Sequence, residues 1–110
     1  MAAKKHEDNI LTFNFRKNGL NELTLTKKRL IYKRIERNSI FSKTKQTVFD
    51  VPIGNIKDVW RHVGLIASTL IIEVLIEKEG KVPKERNMFK FKMDDATCQK
   101  WADAISELTS

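Results

Sequence analysis

A single cysteine, Cys98, rules out an internal disulfide. Nothing else in the composition points to an oxidising compartment, so the expected location is the cytoplasm. The two histidines, His6 and His62, stand far apart, and no cysteine or further histidine sits at ligand spacing from either. No metal site is therefore expected. The chain also lacks a glycine-rich phosphate loop, a nucleophile elbow and a Cys–His pairing, so neither a cofactor nor a catalytic residue is expected. Asp94, Asp95 and Asp103 read as a helix cap and a solvent face, not as a carboxylate pair for acid–base work. Long apolar runs are missing too. Residues 63–67 and 70–76 are strand-length, and Glu73 interrupts the second, so no segment spans a bilayer. Residues 1–9 are polar and of mixed charge, without the apolar centre of a signal peptide.

What the chain does have is a change of period at residue 94. Before it, apolar residues alternate over short stretches, the mark of half-buried strands. Leu11, Phe13 and Phe15 form the first, and Leu23 and Leu25 the second. The third covers residues 30–34, with Ile31 and Tyr32 on opposite faces. Residues 47–51, 57–63, 69–77 and 87–93 supply the rest. Turn chemistry separates them: Arg16-Lys17-Asn18-Gly19, with Gly19 free to take a positive φ, then Lys27-Lys28, then a bend at Asn38-Ser39 leading into a mobile basic stretch through Gln46. The corner Pro52-Ile53-Gly54-Asn55-Ile56 and a charged loop over 78–86 complete the set. From Asp94 the pattern is helical, with Cys98, Trp101, Ala102, Ile105 and Leu108 on one stripe. Roughly seven strands followed by one helix imply a mainly β (α+β) fold, a curled antiparallel barrel capped by a C-terminal α-helix. The expected organisation is a flexible N-terminus over 1–9, one domain over 10–108 and a tail at 109–110.

The net charge is +7, and it is unevenly placed. Lys27, Lys28, Arg29, Lys33, Arg34, Arg37, Lys43 and Lys45 stand against Glu36 alone, a surplus equal to that of the whole chain. Such a run attracts an anionic surface: phospholipid, nucleic acid or an acidic protein. On a lipid surface each cation contributes about 1 kcal/mol. The alternative is a solvated edge whose lysines block edge pairing. Ile40-Phe41 lies within the run, either as an apolar tip for an interface or as a strand end packed on the barrel.

Three segments together resemble the pleckstrin-homology-like superfamily. They are Glu22-Leu-Thr-Leu-Thr-Lys-Lys-Arg-Leu-Ile-Tyr-Lys33, Val51-Pro-Ile-Gly-Asn-Ile-Lys-Asp-Val59, and the closing strand 89–93 with its acidic cap and Trp101-Ala-Asp-Ala-Ile105. The stretch from Leu25 to Tyr32 is most similar to the GRAM, prokaryotic PH-like and GLUE branches, the last being the split domain of the ESCRT-II endosomal sorting complex. The resemblance implies a seven-stranded barrel closed by the helix. It also implies peripheral attachment to anionic phospholipid or phosphoinositide, binding of ubiquitin or another protein, or both. Lys17 matches the basic residue that the family carries at the end of its first strand. The second strand offers Glu22, Thr24 and Thr26 where phosphoinositide-specific members have paired basic residues. That departure speaks against the usual head-group pocket and leaves a displaced one, formed by Lys84 and Arg86, or diffuse attraction. A ubiquitin-like partner would meet the terminal helix, at Ala104 and Leu108.

The aromatics divide into two sets. Phe13, Phe15, Phe89 and Phe91 alternate as core residues, and Trp101 seals the core from the helix. Tyr32, Phe41 and Trp60 are left for stacking, thin support for single-strand nucleic-acid binding, which needs exposed rings along a basic groove. Trp60, beside Arg61 and His62, reads first as a core or half-buried cross-strand aromatic and only second as a ring that stacks on a ligand.

Overall fold

The computed structural model describes residues 9–39, 42–76 and 85–110, and gives the backbone alone at 37–39, 42 and 43. The fold is mainly β, with two antiparallel sheets of four and three strands and one C-terminal helix. The chain divides into two compact units, Met1–Pro52 and Ile53–Ser110.

The first unit is a meander of β1 (Asn9–Arg16), β2 (Leu20–Thr26), β3 (Arg29–Ser39) and β4 (Ser42–Pro52). Its tight connections follow from single residues. Asn18 and Gly19 take positive φ values of 55° and 118°, which the β1–β2 turn needs and which Gly tolerates without strain. At the β2–β3 turn, the Thr26 hydroxyl accepts from the amides of Lys28 (3.1 Å) and Arg29 (2.9 Å), closing the chain around two lysines. One sheet face is buried and carries Leu23, Leu25, Leu30, Tyr32, Phe49 and Val51. The β3–β4 hairpin corrects the expected bend and mobile stretch at 38–46: β3 continues to Ser39, and 42–46 already belong to β4. The polar alternation there carries no apolar signal, yet the ladder persists because each strand supplies the other's hydrogen bonds.

The second unit opens with a 3-10 turn (Ile53–Asn55), where the Asn55 side chain donates to the Leu75 carbonyl at 3.1 Å. Then come β5 (Ile56–His62), β6 (Ser68–Ile76), β7 (Glu85–Met93) and α1 (Asp95–Thr109). The helix lies against all three strands. It buries Cys98, Trp101 and Ile105, one position per turn, while Ala102 and Leu108 are half-buried. Leu70, Ile72, Val74, Phe91 and Met93 are the buried residues of β6 and β7 that alternate with outward positions. The helix runs through Thr109 with Ser110 as its C-cap, so Thr109 of the expected tail at 109–110 belongs to its last turn. Burial pushes the Cys98 thiol pKa up, which keeps it protonated and inert.

The helix start is over-determined. Asp94 has extended backbone and accepts from the Thr97 amide (3.0 Å) and hydroxyl (2.7 Å). Asp95 accepts from the Ser68 hydroxyl and from Arg61, each at 2.5 Å, tying the helix to β5 and β6. Hydrogen bonds from Thr97 hold the Asp94 carboxyl below its usual pKa, and those from Ser68, then Arg61, do the same for Asp95. A depressed folded-state pKa contributes stability in full above the unfolded value of 3.8, and that contribution disappears as pH falls through the folded value. Thermal melts across the acid range are therefore expected to show stability falling below about pH 4. The slope should be shallower in Asp94→Asn/Asp95→Asn; equal slopes would remove these two carboxylates as its source.

Candidate functional site

Cross-strand register turns part of the basic run into a surface. On the face of the first sheet opposite Leu30 and Tyr32, Arg16, Leu20, Ile35 and Lys45 form one row across all four strands. The neighbouring row is Asn14, Glu22, Lys33 and Thr47. Arg16 and Lys45 are exposed, as is Lys17 in the adjoining turn, while Lys33 and Ile35 are half-buried. Leu20 is also exposed. Two aliphatic side chains thus lie between cations at both margins of the sheet, with Glu22 the acid beside Lys33. The backbone of Arg37 pairs with that of Lys43 further along the same hairpin.

A bulge makes this arrangement. Tyr32 pairs with Phe49 but Lys33 with Thr47, which leaves Val48 as the extra residue on β4. Beyond it, Lys45 and Thr47 share the face of Lys33, and Gln46 falls opposite, beside Arg34.

The rest of the basic run goes elsewhere. Arg34 lies on the other face, level with Asn21, half-buried, with its Nε buried and lacking a hydrogen-bond partner. Lys27 and Lys28 are exposed at the opposite end of the sheet, about 20 Å from the Ile35 row at ~3.3 Å per residue. Arg29 is beside them, and its Nε donates to Asp50 Oδ1 at 2.5 Å. In the second unit, Arg86 lies 3.6 Å from Glu73. Lys84 and the Ile40-Phe41 pair lie outside the described residues. Ala104 and Leu108 are both half-buried. Arg16 was legible only as a turn residue. Carrying the Thr12, Asn14 alternation one step further places it on the basic face.

Asn21 was not singled out by its sequence, yet it organises the turn beside this face. It is fully buried, donates to the carbonyls of Lys17 (3.0 Å) and Gly19 (3.2 Å), and accepts from the Tyr32 hydroxyl (3.0 Å). Tyr32 is 7% exposed and packs against Phe15 and Phe49, which removes it from the rings available for base stacking. Trp60 is partly exposed at 38%.

Among the described residues, no three His, Cys, Asp or Glu side chains gather as metal ligands, and no helix is long and apolar enough to cross a membrane. Comparison with protein-family models, curated proteins and solved structures finds no match.

Proposed function

We propose that this chain is a non-catalytic, PH-like binding module that attaches peripherally to anionic membrane surfaces through the Arg16, Lys17, Lys33 and Lys45 face. The observation that carries the reading is the register: four cations from three different strands and a turn meet around Leu20 and Ile35. The element order supports the PH-like assignment, since seven antiparallel strands followed by a terminal helix fit the seven-stranded, helix-closed barrel that the resemblance implies. The charge is placed for a flat, diffuse partner. No concave pocket is needed, and a bilayer supplies many phosphates at once. Four cations at about 1 kcal/mol each give salt-sensitive binding, and the two aliphatic residues add apolar contact.

Sedimentation with phosphatidylcholine vesicles containing about 30% phosphatidylserine tests this. Binding is expected to rise with acidic lipid and to fall in high salt. Lys33→Glu/Lys45→Glu should weaken it by at least about tenfold. Both positions face away from the buried side of the sheet, so folding should survive, as a thermal melt will show. Unchanged binding by the double variant, or no lipid binding but chemical-shift changes on adding ubiquitin, would overturn the reading.

A further inference from the structure

The large aliphatic side chains of the loop between β5 and β6 stand outside the packing of the second unit. Residues 63–67 read Val-Gly-Leu-Ile-Ala, and Val63 is 60%, Leu65 106% and Ile66 99% exposed. Single exposed aliphatics are ordinary. Two consecutive ones standing fully clear of the fold at a hairpin tip are not explained by folding, which gains nothing from them. The loop is nevertheless shaped. A Cβ on Gly64 would come within 2.2 Å of the Ala67 carbonyl oxygen, so the chain folds tightly back on itself at a place where only glycine fits.

Register defines what surrounds the tip. On the sheet face that does not carry Leu70 and Ile72, the row nearest the loop is His62, Thr69 and Lys92, and the next is the exposed Trp60, the buried Ile71 and the exposed Lys90. The acids come only in the third row, Asp58, Glu73 and Met88, about 13 Å further from the loop than the first. Asp94 and Asp95 lie towards the helix. There Asp94 caps the helix and Asp95 is engaged by Arg61 and Ser68. An apolar tip, then a lysine-bearing collar with a half-exposed tryptophan, is the layering of an element that enters a lipid interface.

We propose that residues 63–67 form a membrane wedge. Leu65 and Ile66 enter the acyl boundary of an anionic bilayer, Lys90 and Lys92 lie at the level of the phosphates, and Trp60 lies in the head-group layer. The wedge shares with the basic-face reading only the class of surface. Its contact is apolar, and it is made by the other unit of the chain.

The test attaches an environment-sensitive fluorophore at Leu65→Cys, the native Cys98 being buried, and adds the same phosphatidylserine-containing vesicles. Emission is expected to shift to the blue and brighten. Leu65→Ser/Ile66→Ser should bind vesicles at least about tenfold more weakly with an unchanged thermal midpoint, because neither side chain is buried. A probe that stays unshifted while the protein sediments with vesicles overturns the wedge and leaves the basic face standing. A probe that shifts equally well in Lys33→Glu/Lys45→Glu, with vesicle affinity unaltered, supports the wedge and overturns the basic face. A wild-type dimer in lipid-free buffer that the serine variant dissolves also overturns the wedge, assigning the tip to a second copy of the chain.

Discussion

Trp101→Ala is expected to lower the unfolding free energy by about 3–5 kcal/mol, read as a fall in the urea midpoint at unchanged slope. Trp101 is 1% exposed and occupies the middle of the helix stripe, between Cys98 and Ile105. Truncating it removes the largest of the fully buried side chains. The sheet that the helix packs on is held by its own ladder and can only partly close the gap. For a domain of this size that loss is a large fraction of total stability. A change below about 1 kcal/mol would mean that the helix is not seated as described.

The second large effect is at Asn21. Asn21→Leu preserves approximate volume but removes the acceptor of the 3.0 Å bond from the Tyr32 hydroxyl and takes the side-chain amide away from the carbonyls of Lys17 and Gly19. A loss of about 2–4 kcal/mol is expected, because three hydrogen bonds of a fully buried side chain are lost at about 1 kcal/mol each. Tyr32→Phe alone should cost about 1–2 kcal/mol. The combined variant should be less destabilised than the two losses added, since both changes break the same Tyr32–Asn21 hydrogen bond. Strict additivity, measured by the same urea titrations, would show that the two side chains do not act together. Because the amide also anchors the turn that carries Lys17, Asn21→Leu should weaken vesicle binding beyond its effect on folding.

Local pattern and spatial arrangement were legible to different degrees. The strands around Phe13, Leu23, Ile72 and Phe91 announce themselves by alternation, and Asp94 announces the helix, because each signal lies within one element. The outer half of the β3–β4 hairpin does not. Its residues are polar on both faces, and pairing between strands leaves no mark on either strand read alone. The same blindness affected the basic run. Adjacent cations in sequence, Lys33 and Arg34, lie on opposite faces, while Arg16 and Lys45, far apart in sequence, occupy one row. Asn21 reads as an ordinary polar strand residue, because nothing in the sequence tells that the Tyr32 hydroxyl and two turn carbonyls converge on it. At residues 63–67 composition misleads in the other direction: aliphatic residues of strand length stand in solvent, since hydrophobicity favours burial without guaranteeing it.

The extra residue at Val48 has a consequence beyond local geometry. Were Val48 drawn into the ladder instead of bulging from it, pairing from Tyr32–Phe49 would continue in step, Lys45 would meet Glu36 on the buried side, and Gln46 would take its place outside. The chain's electrostatic character therefore depends on strand register as much as on how many lysines it carries. A one-residue slip of β4 against β3 that left every charge intact would turn Lys45 inward.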